Sequence, residues 1–197
     1  HTQNRNLALL NRVAQRFTST PDVDEIAHTL VMSISEFTMT EGSSVWLWET
    51  AEEERLRCVA IYPHHNPIEL AEMFLAPGEG IAGRVAQQGA TIAVDDASVD
   101  PRHSGLGDRM LQFSVRSLMA VPLRGHDKII GVLELVNHAS GHFSENDRVL
   151  AAAAAMALVA SVWISEVSSA SVLIAASMAA LTTARFSAVT SFTRAAA

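Results

Sequence analysis

The chain has 197 residues, enough for one domain with a sizeable core and a helical extension. Its 14 basic and 21 acidic residues give a net charge of −7 without a cluster of Lys or Arg, so neither nucleic acid nor a membrane is an expected partner of the domain. The single cysteine, Cys58, excludes an internal disulfide and fits a reducing, cytoplasmic compartment. The chain begins with His1 and shows no signal peptide, which predicts that it is part of a longer protein.

Two helices are predicted before the first strand. Residues 5–17 carry apolar side chains at helical spacing, and residues 21–39 do so again after an N-cap at Thr20. We assign residues 1–19 to an N-terminal helix that serves in dimerisation or as a linker. The Glu-Gly-Ser stretch at residues 41–43 is expected to break the second helix.

A strand hairpin should follow. Residues 44–48 are apolar on both faces, and residues 56–62 form their partner across an acidic turn. The next loop holds His64 and His65, which we expect to be solvated, because adjacent histidines on a strand point to opposite faces and do not meet at one metal ion.

The stretch from Gly78 to Gly89 predicts a turn, a short helix over residues 81–88 and a glycine stop. Gly80 and Gly83 allow other atoms to approach the start of this helix, where free backbone amides favour an anion or a ligand oxygen. The alternative is that these glycines only permit tight packing of the helix on a sheet.

A short strand at residues 91–94 ends at Asp95 and Asp96, which we interpret as strand-end and turn residues that could also contact a ligand. Residues 97–117 contain a glycine-rich turn and a predicted short helix at 108–113. Neither a nucleophile nor a set of metal ligands accompanies the acids, so no catalytic site and no metal site is predicted.

The second hairpin, residues 118–123 and 129–136, organises the rest of the chain. Neither strand alternates cleanly, so both faces should be covered and the pair should lie inside the sheet. Ser144 is a good N-cap for a long helix. Residues 166–197 are an extension rich in Ala and Ser. Its uncharged stretch is about long enough to cross a bilayer, but the Ala, Ser and Thr content favours a helix that continues toward an output domain outside this chain.

These elements predict an α/β (α+β) sandwich around an antiparallel sheet. Terminal helices should cover one face, and residues 80–88 and 97–113 should roof a pocket on the other. The carboxylate of Glu134 lies within an apolar strand and needs a partner, either a ligand donor or Arg109 or Arg116. The expected pocket residues are Ser44, Ile81, Ala82, Asp96, Arg109, Gln112, Met119 and Glu134.

Residues 20–165 resemble a GAF domain, because five motifs follow one another in the order found in that family. They are GEGIAGRVA at 78–86, VDD at 94–96, DPR at 100–102, RSLMAVPL at 116–123 and GVLELVN at 131–137. The resemblance implies a GAF/PAS-like fold and a sensory module of a signalling protein that binds a small molecule and dimerises.

Departures from the patterns of known GAF subfamilies narrow the choice of ligand class. The signature of cyclic-nucleotide-binding members is matched at Asn137, Phe143 and Asp147, but His138 replaces Lys and Arg148 replaces Glu. The resemblance implies that the residue at 138 contacts Asp147, and we expect their side chains to lie within hydrogen-bond distance here, directly or through one water. Members that bind bilins need a cysteine near the middle helices, and members that reduce free methionine sulfoxide use several cysteines.

Cys58 lies in a predicted strand and is alone, so neither bilin attachment nor a dithiol cycle is expected. Haem is not expected either, because His103 and His142 are interpreted as solvated. We therefore predict a non-enzymatic sensor of an unidentified ligand, with no named cofactor, that signals through a homodimer. The alternative is a structural dimerisation module whose pocket is filled by its own side chains: Met73, Phe74, Leu111, Phe113 and Met119. The predicted dimer interface uses Leu7, Leu10, Val13, Phe17, Val159, Val162 and Trp163.

Overall fold

The computed structural model describes residues 23–49, 55–63, 70–105 and 113–162. Several predictions fall outside these ranges: the first helix, the acidic turn, the two loop histidines, the short helix before Phe113 and the extension after residue 162. In the described ranges, no helix is both long enough and apolar enough to cross a bilayer.

The described chain forms one six-stranded antiparallel sheet with three helices. In chain order the elements are α1 (Val23–Thr38), β1 (Thr40–Glu49), β2 (Arg55–Tyr62), β3 (Phe74–Leu75), α2 (Gly80–Gln88), β4 (Ile92–Val94), β5 (Leu118–Arg124), β6 (Ile129–His138) and α3, whose described part covers residues 145–162. The strand order is β3-β2-β1-β6-β5-β4. The predicted α/β sandwich is therefore confirmed, and β5 and β6 lie inside the sheet as expected.

One boundary was wrong: residues 41–43 do not form a break but lie inside β1. Gly42 pairs with Val136 and Ser43 with Leu135 of β6. The chain reverses earlier, at Met39, whose φ of 52° takes the left-handed conformation. Pairing with β6 thus overrides the turn preference of Glu-Gly-Ser.

Each face of the sheet carries its own apolar core. On one face, α1 and α3 pack against side chains such as Val45, Leu133 and Leu135. On the other face, α2 and the loops pack against side chains such as Val132 and Leu118. Because neighbouring residues of β6 enter different cores, the strand reads as a nearly continuous apolar run.

The helix α3 begins with a reciprocal cap. The Asp147 N–H donates to Ser144 Oγ at 3.3 Å, and the Ser144 N–H donates to Asp147 Oδ2 at 2.8 Å. His138 Nε2 lies 3.4 Å from the same Oδ2. The two side chains are therefore neighbours as predicted, but this distance is longer than that of a usual hydrogen bond, so the predicted hydrogen bond is not confirmed.

The predicted dimer surface on α3 needs correction. Val159 is buried in the core beneath α3, and Val162 packs against that core, because α3 needs this side to cover its own sheet. The large apolar side chains exposed on the described part of α3 are instead Val149 and Met156, which are 49% and 74% exposed. Trp163 and the four residues of the first helix lie outside the described chain.

Candidate functional site

A cavity of about 70 Å³ lies between the sheet and its roof, on the face opposite α1 and α3. One water needs roughly 10–15 Å³ of such volume, so the cavity has room for a few non-hydrogen atoms. Its walls are mostly apolar. Among the described residues, the polar side chains at the cavity are those of Ser44, Trp46, His103, Ser104 and Glu134. Ser43 and Tyr62 also line it, but their side chains lie on the α1 face of the sheet, where Ser43 Oγ donates to the Val31 carbonyl and Tyr62 packs against the core. The principal apolar side chains come from Ile61, Met73, Leu75, Ile81, Phe113, Val115, Leu118 and Val136.

Glu134 lies at the centre of the cavity floor, on β6. Its cross-strand neighbours are Ser44 on β1 and Ala120 on β5. The small side chain of Ala120 leaves room beside the carboxylate, and Ser44 can donate to it. By solvent accessibility Glu134 is only half-buried, and its side chain lines the cavity.

Two donors hold one oxygen of this carboxylate. Trp46 Nε1–H donates to Glu134 Oε2 at 2.9 Å, and Ser44 Oγ–H donates to the same oxygen at 3.2 Å. Within the described ranges, no hydrogen bond reaches Oε1. Burial raises the pKa of Glu134, while the bonds from Trp46 and Ser44 and the nearby His103 partly oppose this rise.

The start of α2 forms a second polar part of the cavity. Gly80, Ile81 and Ala82 line it. The N-cap residue, Glu79, makes no side-chain capping bond to the helix, because its carboxylate accepts the Ala76 N–H at 2.9 Å. Backbone N–H groups in a first turn have no partner inside the helix, so they can donate to a ligand oxygen.

The loop after β4 closes over this helix start. A Cβ atom at Gly80 would lie 3.1 Å from Ser104 Oγ, and Gly80 has a φ of +66°. Glycine is therefore favoured here both by the left-handed backbone conformation and by the close approach of the Ser104 side chain. This approach places His103 and Ser104 at the cavity.

Four of the eight predicted pocket residues line the cavity: Ser44, Ile81, Ala82 and Glu134. The placement of Met119 in the floor was wrong. Met119 is fully buried on the other face of the sheet, in the core beneath α1 and α3. Its neighbours Leu118 and Ala120 face the roof, so the error is one of strand phase.

Asp96 does not line the cavity, because it is exposed and forms a turn in which its Oδ1 accepts the Ser98 N–H at 3.1 Å. Arg109 and Gln112 lie outside the described chain. Arg116, one of the alternative partners considered for Glu134, pairs with Glu41 instead, with 2.6 Å between Arg116 Nη2 and Glu41 Oε1.

Sequence reasoning missed two polar groups of the cavity. Trp46 was interpreted only as an apolar strand residue, although it shares strand phase with Ser44 and therefore faces the roof. His103 was expected to be solvated, but it lines the cavity. The strand phase could have revealed Trp46; no local signal marked His103.

Cys58 lies outside the cavity lining. It is fully buried in β2, and its Sγ–H donates weakly to the Ala60 carbonyl at 3.6 Å. Burial, with a smaller contribution from the negative charge of Glu134, raises the pKa of this thiol. Within the part of the chain that the structure describes, no three His, Cys, Asp or Glu side chains form a group that could hold a metal ion.

Comparison with curated proteins finds a relative among the phosphodiesterases. The chain is 37% identical over 73 residues to dual 3′,5′-cyclic-AMP and -GMP phosphodiesterase 11A of Takifugu rubripes. This match covers 36% of the chain and 8% of the length of that relative.

Several solved structures share the fold. The GAF domain of a phosphoenolpyruvate-protein phosphotransferase from Coxiella burnetii matches with a TM-score of 0.73 and 18% identity, over 84% of this chain and 97% of that one. Free methionine-R-sulfoxide reductase from Neisseria meningitidis, in complex with its substrate, matches with a TM-score of 0.67 and 20% identity, over 85% and 91%. The sequence model of the GAF domain matches residues 22–162, and the chain belongs to the GAF domain family.

Proposed function

We propose that this domain is a non-catalytic sensor whose cavity binds a small molecule through Glu134. The observation that carries this proposal is the carboxylate in the cavity floor. Oε2 is held by two donors, whereas Oε1 receives no hydrogen bond from the described residues. A partly buried carboxylate whose second oxygen has no donor among the described residues is costly, and a ligand donor would remove much of that cost.

The same geometry indicates a ligand class. A small amide, amine or nitrogen heterocycle would donate an N–H to Glu134 Oε1. An acceptor atom on the same ligand would bind the amides at the start of α2. The apolar walls would enclose the rest of the ligand, and the cavity volume of about 70 Å³ limits its size as long as the roof keeps this position.

A cyclic nucleotide fits this cavity poorly. The volume is small, and no Lys or Arg is among the described lining residues to pair with a phosphate. Asn137 and Asp147, which match the cyclic-nucleotide signature, bind backbone groups and the cap of α3 and do not line the cavity.

Two observations support the non-catalytic part of the proposal. The chain has one cysteine, so it lacks the second thiol that an internal dithiol cycle requires. The raised pKa of the Cys58 thiol keeps it protonated and therefore a poor nucleophile. The likeness to the Neisseria reductase, at 20% identity, supports a common fold without a common reaction.

A homodimer that signals to an output domain in the cytoplasm completes the proposal. Val149 and Met156 are exposed seven residues apart on α3, about two helical turns, and Met32 of α1 is 40% exposed. Exposed apolar side chains on neighbouring helices would pair well across a two-fold axis. Met156→Glu should weaken self-association in sedimentation, whereas Val99→Glu, at a loop residue 76% exposed, should not. A monomer at high micromolar concentration would reject the dimer.

NMR titration tests cavity binding. The indole N–H of Trp46, assigned with Trp46→Phe, should shift with millimolar imidazole or acetamide and much less with acetate. In Glu134→Gln the amide N–H₂ can turn toward the cavity, so the response to the donors should fall and the response to acetate should rise. Equal responses in both proteins, or none to any probe, would reject Glu134 as the ligand contact.

A further inference from the structure

The roof of the cavity is fastened at its base by the side chain of Asn137. We call the two described segments 97–105 and 113–116 the roof. The Ala97 N–H donates to the Arg116 carbonyl at 2.6 Å and joins the two ends of the roof. Asn137 Oδ1 accepts the Arg116 N–H at 2.7 Å, and its Nδ2 donates to the Ser114 carbonyl at 2.8 Å. The base of the roof is thus bonded to the end of β6.

The same amide also reaches β1. Asn137 Nδ2 donates to Glu41 Oε2 at 2.8 Å, and Arg116 Nη2 donates to the other oxygen of Glu41 at 2.6 Å. Asn137 is 1% exposed and has a φ of 57°, a conformation that asparagine tolerates better than most residues. Both polar ends of its side chain are therefore fully used, and its backbone is adapted to this position.

His138 continues the network toward α3. Its N–H donates to Ser117 Oγ at 3.1 Å, and its ring Nδ1 accepts the Ser140 N–H at 3.1 Å. Because Nδ1 is an acceptor, the ring proton of the neutral imidazole lies on Nε2, which faces Asp147 Oδ2 at 3.4 Å. That oxygen also accepts the Ser144 N–H at the first turn of α3.

We propose that Asn137 and His138 couple the position of the roof over the cavity to the first turn of α3. The inference rests on the proposed function, since roof position carries a signal only if the cavity takes a ligand. Asn137, His138 and Asp147 are at least nine-tenths buried, so water does not readily replace the contacts that each of them makes in this network. A displacement of residues 114–117 therefore either moves the end of β6 or breaks these bonds. The coupling is reciprocal: loosening the cap of α3 must loosen the roof to the same degree.

Hydrogen exchange of the unliganded protein, followed by mass spectrometry, tests this coupling. Phe113→Ala removes a roof side chain that lines the cavity. In the otherwise unchanged protein it should raise exchange at residues 113–117 and, by about three- to tenfold, at the amides 147–150 of α3, the effect of losing about one hydrogen bond. In an Asn137→Gly background, which keeps the positive φ but removes the amide, the effect of Phe113→Ala on α3 should disappear.

The reverse experiment uses Asp147→Asn, which should raise exchange at residues 114–117. The control is Val31→Ala, a core substitution in α1 away from this network. It should raise exchange around Val31, but it should not raise exchange at residues 114–117 and 147–150 together. If Phe113→Ala leaves α3 unchanged, or changes it equally in both backgrounds, the proposal is overturned. Should Asn137→Gly fail to fold, unchanged exchange at residues 114–117 in Asp147→Asn would by itself overturn the proposal. No ligand is used, so these outcomes are independent of the titration that tests cavity binding.

Discussion

Replacing Glu134 with Gln should stabilise the domain at neutral pH. Burial raises the pKa of this carboxyl above its ordinary value of 4.5, so between these two pKa values the folded state holds a proton that the unfolded state has released. The contribution of Glu134 to the free energy of unfolding is therefore fully present below pH 4.5 and is lost as the pH rises from there through the folded-state pKa. Glutamine keeps an oxygen for the donors on Trp46 and Ser44 and does not ionise.

The size of this stability difference follows from the release of a single proton. Where the two states differ by one bound proton, the free energy of unfolding changes by about 1.4 kcal/mol per pH unit at most. For a domain of this size that corresponds to roughly 3–5 °C in Tm per pH unit. The difference between Glu134→Gln and the wild-type protein should therefore grow from near zero at pH 4.5 upward, until the folded-state pKa is passed.

Urea denaturation of both proteins across this pH range is the assay. Taking their difference removes the contributions of all other carboxyl groups. Glu49→Gln is a suitable control, because Glu49 pairs with Arg55 at the surface, where both side chains are more than a third exposed. A wild-type protein more stable than Glu134→Gln at pH 7, or a difference that does not vary with pH, would refute the buried position of Glu134.

Three further substitutions test other parts of the structure. Gly131→Ala would place a Cβ atom on the Trp46 carbonyl oxygen, so urea denaturation should show a loss of about 3 kcal/mol or more; a loss below 1 kcal/mol would contradict the register of β1 and β6. Ser144→Ala removes the N-cap of α3 and should cost about 0.5–2 kcal/mol in the same assay, and an unchanged midpoint would reject the cap. The pKa of Asp100, lowered to about 2 mainly by hydrogen bonds from Arg102, should return toward 3.8 in Arg102→Ala when followed by NMR; a value that stays near 2 would disprove this pairing.

Much of the fold could be predicted because local signals agree with tertiary packing. The turn before α2 and the glycine after it behave as predicted: Gly89 takes the left-handed conformation with a φ of 68° and its N–H donates to the Val85 carbonyl. The second hairpin could be placed inside the sheet because both of its faces are apolar. In both cases the local residue pattern favours the same backbone conformation as the tertiary packing does.

The errors arise where two arrangements fit the same residues. Met119 lies in a run of apolar side chains, so composition does not indicate which of its neighbours faces the roof. Pairing of β5 with β6 settles the phase, since Ala120 lies opposite Glu134 and Met119 opposite Leu135. Val159 shows the same ambiguity on α3, where alanine-rich turns leave the buried side of the helix undefined until it packs.

Native mass spectrometry of the purified domain tests the central claim most directly. If the cavity binds a small molecule through Glu134, the protein should carry an added mass of one small nitrogen-containing compound under gentle ionisation. That mass should be reduced or lost in Glu134→Gln and retained in the control Glu49→Gln. A protein without added mass, both after purification and after incubation with a cell extract, would contradict the sensor function and favour a structural dimerisation module. A bound compound that Glu134→Gln retains unchanged would contradict binding through Glu134.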